Sequence, residues 1–155
     1  GRTSEMKVYT TNTSIGNPMT TVRVVGHIST NAVSGEKEIT DEYGIQNTGA
    51  GSVKPVGVIN KSVGVGYGLS TMGLLVKTFG TVKSIATDKK SFVIDDGSKT
   101  PVKVTDFGYD VPGWMQVGSY VQLTGVSSLA SDGGNTVKCL RVPQWYCDTS
   151  VPWQP

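Results

Sequence analysis

Clustered carboxylates are the residues of this chain whose spacing comes closest to supporting catalysis. One cluster fills a seven-residue window and comprises Glu36, Glu38, Asp41 and Glu42. Asp95 and Asp96 form a second, adjacent pair. Glycoside hydrolysis needs two carboxylates that face one cleft. Because Glu36 and Glu38 share one face of a predicted strand and Asp96 belongs to a predicted turn, we interpret both clusters as solvated charge.

Metal binding and nucleophilic catalysis lack their motifs as well. His27 is the only histidine, and within a predicted strand we expect it to be a surface or hydrogen-bonded residue. Calcium loops place oxygen ligands at a fixed spacing. No such spacing joins the four aspartates that we considered, which are Asp88, Asp95, Asp96 and Asp106. Neither a Gly-x-Ser-x-Gly elbow nor a phosphate loop is present. We therefore expect a non-enzymatic protein without a cofactor or metal.

Aromatic side chains suggest stacking as the next kind of chemistry. They gather in two stretches and comprise Phe107, Tyr109, Trp114, Trp145, Tyr146 and Trp153. Flat rings suit sugar faces. In that interpretation the ligand-binding residues are Tyr109, Trp114, Lys99 and Lys103. Tyrosine and tryptophan are equally enriched at subunit interfaces, and the tail 143–155 is proline-spaced, which favours docking along a surface. We favour the packing or interface role.

The sequence also indicates two covalent modifications. Cys139 and Cys147 lie eight positions apart with Pro143 between them. In an extracellular context we prefer a disulfide that closes this short loop, and the alternative is two reduced, partly buried thiols. The triplets NTS at Asn12 and NKS at Asn60 match the N-glycosylation acceptor pattern, which often occurs by chance.

The composition favours short strands joined by tight turns. Of 155 residues, 20 are glycine and only 17% are charged, against an average of about one quarter. The net charge is +2, with six basic and five acidic residues before Thr71 and eight and seven from there on. Neither half therefore has the one-signed field of a nucleic-acid or anionic-membrane binder. No apolar run is long enough for membrane insertion.

Alternating patterns predict consecutive strands along most of the chain. The predicted strands cover 21–28, 36–40, 74–85, 91–95, 100–105, 118–128 and 136–142. Asp96-Gly97 is a hairpin signal, and a second turn is predicted at 132–135. Gly80 and Gly125 stand where strands of a small barrel must bend.

Three of these segments resemble an oligonucleotide/oligosaccharide-binding (OB) fold module. They are GLLVKTFGTV from Gly73, FVIDDGS from Phe92 and VGSYVQLTGVSS from Val117. The resemblance covers about residues 72–142 and is to modules that recur, often in tandem, in large secreted or surface proteins of bacteria. It implies an all-β protein with a five-stranded Greek-key barrel.

The resemblance also implies where such a barrel would bind a ligand. OB barrels use aromatic and basic residues on the face of their second and third strands. Phe92, Lys99 and Lys103 are the candidates there. Because Phe92 shares its face with Ile94, we expect it in the core and do not expect nucleic-acid binding.

Residues 21–71 resemble the end of a second, partial OB-like unit. TVRVVGHI from Thr21 and EKEIT from Glu36 resemble the last two strands of such a barrel, and GSVKPVGVINKSVG from Gly51 looks like a linker. Only the Thr/Asn-rich arm 1–20 precedes them, which leaves no room for the first three strands. A two-stranded remnant is marginal in water, and its edges invite pairing with another strand.

We therefore expect four segments: an arm (1–20), a partial OB-like β unit with a Gly-rich linker (21–71), an OB-fold barrel (72–142) and a Pro/Trp-rich tail (143–155). The leading hypothesis is a secreted or cell-surface structural subunit that forms an assembly or filament with further copies of itself by strand pairing or exchange. The candidate interface residues are Val8, Tyr9, Val22, Val24, Trp145, Tyr146 and Trp153. One alternative is a compact monomer whose arm folds back. The other is a monomeric ligand-binding module, with carbohydrate ahead of single-stranded nucleic acid.

Overall fold

The computed structural model describes residues 7–8, 20–32, 35–51, 53–105, 108 and 110–142. The chain divides into two compact units, Gly1–Lys54 and Pro55–Pro155. The described residues form β-strands and one short 3₁₀ turn at Asn60–Ser62, with no α-helix among them. The prediction of an all-β protein is therefore confirmed.

The described part of the N-terminal unit forms a three-stranded sheet. Its strands are β1 (Lys7–Val8), β2 (Thr20–Thr30) and β3 (Lys37–Ala50). β2 and β3 form an antiparallel hairpin, and β1 pairs in parallel with the other side of β3, which gives the order β1-β3-β2. β-Branched residues dominate β2 and favour its extended backbone.

The hairpin is bulged opposite Gly26. The register skips residues 41–43 of β3 at this point. A Cβ at Gly26 would lie 2.6 Å from Ile39 Cγ2 and 3.0 Å from the carbonyl oxygen of Thr40. Only glycine therefore lets the two strands approach this closely at the bulge.

The second unit contains six strands. They are β4 (Val56–Gly57), β5 (Leu75–Ile85), β6 (Phe92–Asp95), β7 (Val102–Thr105), β8 (Tyr120–Asp132) and β9 (Asn135–Arg141). Their order is β4-β5-β6-β7-β9-β8, and β8 also pairs with β5. The hydrogen-bonded order of β5 to β9 is therefore cyclic. All pairs in this cycle are antiparallel except β7–β9.

The hydrophobic core lies inside this cyclic set of strands. Alternate residues of β6 and β7 point inward, and the buried ones are Phe92, Ile94, Val102 and Val104, as their spacing predicts. Other members of the core are Val76, Val82, Val121, Leu123, Leu140 and Val142. Among the described residues, every fully buried apolar side chain belongs to the second unit.

Sequence patterns locate the strands better in the second unit than in the first. β5, β6 and β7 begin and end within two residues of their predicted bounds. β8 runs on to Asp132 because Gly133 and Gly134, both with positive φ, complete the turn alone. β3 continues ten residues past the predicted end at Thr40, since pairing with β2 holds its less regular second half extended.

The N-terminal sheet repeats part of the second unit. The orders β1-β3-β2 and β7-β9-β8 each combine one parallel pair with one antiparallel hairpin. Gly26 corresponds to Gly125, where a Cβ would lie 2.6 Å from the carbonyl oxygen of Arg141. The described residues of the N-terminal unit include no counterparts of β5 and β6. The registers match, with Lys7–Glu38 and Ile28–Ile39 corresponding to Lys103–Cys139 and Ser127–Leu140.

Candidate assembly interface

The outer edge of β2 is where the N-terminal sheet departs from its repeat. Within the described residues, β2 pairs only with β3. The corresponding edge of β8 pairs with β5 through seven residue pairs, from Leu75–Val126 to Thr81–Tyr120. Residues 21–25 of β2 have no such strand beside them in the described part of the chain. An uncovered strand edge is a template for pairing with another chain.

One face of the hairpin is apolar without being buried. The side chains on this face are Val22, Val24 and Ile28 of β2 and Ile39 and Ile45 of β3. Val22 and Val24 are half-buried, and Ile28 is 67% exposed. The residues of β8 that correspond to Val22 and Val24 are Val121 and Leu123, and both are buried. The apolar face therefore lacks the cover that β8 receives in the second unit.

Two carboxylates of β3 are shielded from solvent in different ways, so the interpretation of their cluster as solvated charge is wrong for Glu38 and for one oxygen of Glu42. Glu38 is buried and accepts hydrogen bonds from Ser29 Oγ (3.3 Å) and Asn31 Nδ2 (3.2 Å). Glu42 Oε2 is enclosed at the bulge and has no hydrogen-bond partner among the described residues. A buried oxygen without a donor is unfavourable, so a donor from outside the sheet would stabilise it.

The single histidine is engaged within the hairpin. The Tyr43 hydroxyl lies 3.0 Å from His27 Nδ1, and the two rings meet edge to face with centroids 5.3 Å apart. Both side chains are exposed. This is the hydrogen-bonded surface role that the sequence predicts for His27.

The predicted assembly residues fall partly inside and partly outside the described structure. Val8 is half-buried in β1, and Val22 and Val24 lie on the apolar face of β2. Four others lie outside the described residues, namely Tyr9, Trp145, Tyr146 and Trp153. The structure therefore supplies geometry for the β2 part of the predicted interface and leaves the tail part a prediction.

The predicted ligand-binding residues are not gathered into one site. Lys99 occupies a turn with φ of 58°, and Lys103 Nζ is bound to Asp132 Oδ1 at 3.1 Å. Trp114 is 47% exposed in the segment before β8, and among the described residues no hydrogen bond or ring contact links it to either lysine. Tyr109 lies outside the described residues.

A different aromatic pair lies on the outer face of β5 and β8. The Phe79 and Tyr120 rings have centroids 6.0 Å apart and planes 31° apart. Their side chains are 38% and 47% exposed. The alternation that puts Val76, Thr78 and Val82 inside the second unit also puts Phe79 outside. The alternation in the sequence could therefore have predicted that Phe79 lies on the outer face. Its proximity to Tyr120 follows from the β5–β8 register, which the sequence does not show.

The Asn60 acceptor triplet is part of the fold. Asn60 is completely buried, and its backbone amide donates to Asp96 Oδ2 at 2.8 Å. Its side-chain amide nitrogen donates to Thr78 Oγ1 (2.9 Å) and to the carbonyl of Phe79 (3.2 Å), while its amide oxygen accepts from the Asp96 amide (3.0 Å). A glycan cannot be attached to this enclosed side chain in the folded protein. The expectation of a glycosylation site at Asn60 is therefore wrong, whereas Asn12 lies outside the described residues.

Asp96 anchors the Asn60 turn to the β6–β7 turn. Its Oδ1 accepts from the Ser98 amide at 3.0 Å. Partial burial raises the pKa of Asp96, but the nearby Ser98 hydroxyl and the hydrogen bonds from the backbone amides of Asn60 and Ser98 outweigh that effect, so the pKa lies below its ordinary value. Asp96 is thus a structural carboxylate as well as a turn residue.

Lys138 holds the base of the glycine-rich segment 63–70. Its Nζ donates to the carbonyls of Lys61 (2.9 Å), Val63 and Val65 (2.7 Å). Burial lowers the pKa of Lys138. Ser127 Oγ accepts from the Gly64 amide at 2.7 Å. The glycine-rich segment 63–70 is therefore tightly fixed at its base.

The remaining predictions about chemistry concern cysteines and metals. Cys139 is buried in β9, and Cys147 lies outside the described residues, so the disulfide stays a prediction. In the described part of the chain, no three His, Cys, Asp or Glu residues are grouped so that they could hold a metal ion. None of the described helical segments has the length and apolar character that crossing a membrane requires.

Comparison with known proteins gives no relative for this chain. No protein-family model matches it, and neither the curated proteins nor the solved structures contain a significant match. Functional inference therefore rests on the residues and their geometry.

Proposed function

We propose that this chain is a non-enzymatic structural subunit that self-associates through its N-terminal sheet. In this proposal, a strand from a second copy pairs with residues 21–25 of β2 and covers the apolar face. The observation that supports it is the contrast between β2 and β8. The same edge that carries a seven-pair ladder in the second unit is uncovered among the described residues of the first.

Charge favours a head-to-tail contact over a symmetric one. β2 carries Arg23, and β3 carries the acidic residues Asp41 and Glu42. Pairing β2 with β2 would bring two copies of Arg23 together, and like charges on neighbouring strands are unfavourable. In a head-to-tail contact, β2 of one copy pairs with the part of β3 beyond Ile39 that β1 leaves uncovered among the described residues of the next copy, so the two Arg23 side chains stay apart. Such heterologous contacts produce filaments when they do not close into a ring.

We also propose that the second unit is an OB-fold barrel and the N-terminal sheet a partial one. The support is the cyclic order β5-β6-β7-β9-β8 with one parallel pair, which suits a five-stranded Greek-key barrel. The resemblance to modules of secreted bacterial proteins and the predicted Cys139–Cys147 disulfide favour an assembly outside the cell or at its surface.

Light scattering after size-exclusion chromatography, with negative-stain microscopy, tests the assembly. We expect the mass of the full chain to rise with concentration and Val22→Lys/Val24→Lys to remain monomeric, because two charges on the apolar face cannot be buried. Thr21→Lys/Val25→Lys places the same charges on the opposite face of β2 and is the matched control. A full chain that stays monomeric at the highest concentration would overturn the proposal in favour of the compact monomer.

A further inference from the structure

We propose that the outer face of β5 and β8 around Phe79 and Tyr120 binds an acidic oligosaccharide. The proposal is independent of self-association, because these strands belong to the second unit. It also differs from the ligand site that the sequence indicated, which involved Trp114, Lys99 and Lys103.

The strand register gathers the side chains of this face. Phe79 lies opposite Gln122, Thr81 lies opposite Tyr120, and Lys77 lies opposite Thr124. Residues directly opposite each other in an antiparallel pair project to the same side of the sheet. The aromatic pair is therefore surrounded by an amide, two hydroxyls and an ammonium group.

The two rings form an exposed stacking surface. Neither Phe79 nor Tyr120 belongs to the hydrophobic core, and the backbone beneath them is fixed by the seven-pair β5–β8 ladder. Sugar rings present apolar C–H faces that pack on aromatic rings, while their hydroxyls need both donors and acceptors. Gln122, Thr81 and Thr124 offer both kinds of group beside the rings.

The charge of the face selects an acidic sugar. Lys77 and Lys83 are exposed on β5, and neither makes an ion pair within the described residues. Asp95 is the nearest acid by register, opposite Thr81, and its Oδ1 accepts from the Gly97 amide. With Lys77 in the β5–β8 register, Lys83 at the β5–β6 register shift and Asp95 opposite Thr81, this part of the sheet keeps a net positive charge, which suits the carboxylates of a uronic acid chain.

The same features disfavour single-stranded nucleic acid. Nucleic-acid grooves combine stacking with a basic track that neutralises many phosphates. This face offers two lysines, and the whole chain has a net charge of only +2. Hydroxyl-rich rings with occasional carboxylates match its composition better.

Isothermal titration of the full chain tests the assignment with three probes: an oligogalacturonate, a neutral cello-oligosaccharide and oligo(dT). We expect the oligogalacturonate to bind most tightly. Phe79→Ala and Tyr120→Ala should each weaken this binding about fivefold or more, since stacking of a flat ring on one aromatic side chain contributes at least about that factor. Lys77→Gln should lower the affinity for the oligogalacturonate nearly to the affinity for the neutral sugar.

Trp114→Ala separates this site from the one that the sequence indicated: Trp114 is not part of the β5–β8 register, so under this proposal its removal should leave the affinity unchanged. Circular dichroism identifies any variant that fails to fold, and Lys77→Gln, which alters only an exposed side chain, then carries the test. The proposal is overturned by tighter binding of oligo(dT), by no binding of either sugar, or by affinity that is insensitive to Phe79→Ala and Lys77→Gln. Monomeric behaviour of the chain would leave this result unaffected.

Discussion

The β2–β3 hairpin and the β8–β9 hairpin show how little of a strand's burial is decided by the hairpin itself. Both pair antiparallel in matching register, both contain a glycine at the point of closest approach, and both carry a parallel strand on the outer side of the second strand. Yet Val121 and Leu123 are buried, whereas Val22 and Val24 are only half-buried.

The difference comes from β5 and β6. β5 pairs with β8 on one side and with β6 on the other, and β6 reaches β7, so the cycle closes over the core. Without that closure a sheet has only one layer, and its apolar face needs another surface to pack against. The N-terminal sheet thus has the strand order of part of the second unit without a core of its own among the described residues.

Side-chain truncation at matched positions of β8 and β2 should give the largest difference in stability between the two units. Leu123→Ala should lower the free energy of unfolding of the second unit by about 2–5 kcal/mol, because it leaves a cavity in a closed core. Val24→Ala, at the corresponding position of β2, should cost less than about 1 kcal/mol at dilute concentration, since its side chain is half-exposed.

Urea denaturation can follow the two units separately. Trp114 lies in the second unit, so its fluorescence, recorded with Trp145 and Trp153 replaced by Phe, reports on that unit, while hydrogen exchange of peptides from β2 and β3 reports on the first. If both truncations lower the free energy of unfolding equally, the N-terminal apolar face is already packed in the monomer. The proposed difference in burial between the two hairpins would then be wrong.

The sequence predicts the strands of the closed second unit better than those of the open N-terminal sheet. Alternation predicted β6 and β7 and their buried residues because a closed core imposes one inward face on each strand. Beyond Thr40, β3 loses that alternation, so its length depends on pairing with β2 and could not be inferred. The Phe79–Tyr120 contact depends on β5–β8 register, and the Asn60 network joins residues far apart in sequence. Periodicity contains no information on either.

Two lysines at corresponding positions of β9 and β3 should give the next, smaller difference in stability. Lys138 corresponds to Lys37 in the repeated register, but Lys138 Nζ donates to three carbonyls, whereas Lys37 Nζ donates to Thr30 Oγ1 (2.6 Å) at an exposed site. We expect Lys138→Met to destabilise the second unit by about 1.5–3 kcal/mol, as for hydrogen bonds from a charged donor. Lys37→Met should change stability by less than about 0.5 kcal/mol.

Fluorescence-detected urea unfolding measures the Lys138 effect, and hydrogen exchange locates it. Amides of segment 63–70 should exchange faster in Lys138→Met, while those of β6 and β7 stay protected at low urea. If exchange in that segment matches the wild type, Lys138 does not fix the glycine-rich segment, and the second unit is held by its strands alone.

The smallest expected effect is the acid response of Asp96, which only the second unit should show. Hydrogen bonds lower the pKa of its carboxyl in the folded state, despite partial burial. The stabilisation is therefore fully present above the ordinary pKa of an aspartate, about 4, and is lost as the pH falls through the lower folded value. Asp96→Asn should cost about 1 kcal/mol at pH 7, discounted for solvent exposure, and progressively less below pH 4.

Asp88→Asn, in an exposed turn where Oδ1 accepts from the Lys90 amide, is the control. A pH-independent difference between Asp96→Asn and the wild type would show that the anchoring of the Asn60 turn does not depend on the carboxylate charge. The contrast between the units would then rest on strand closure alone.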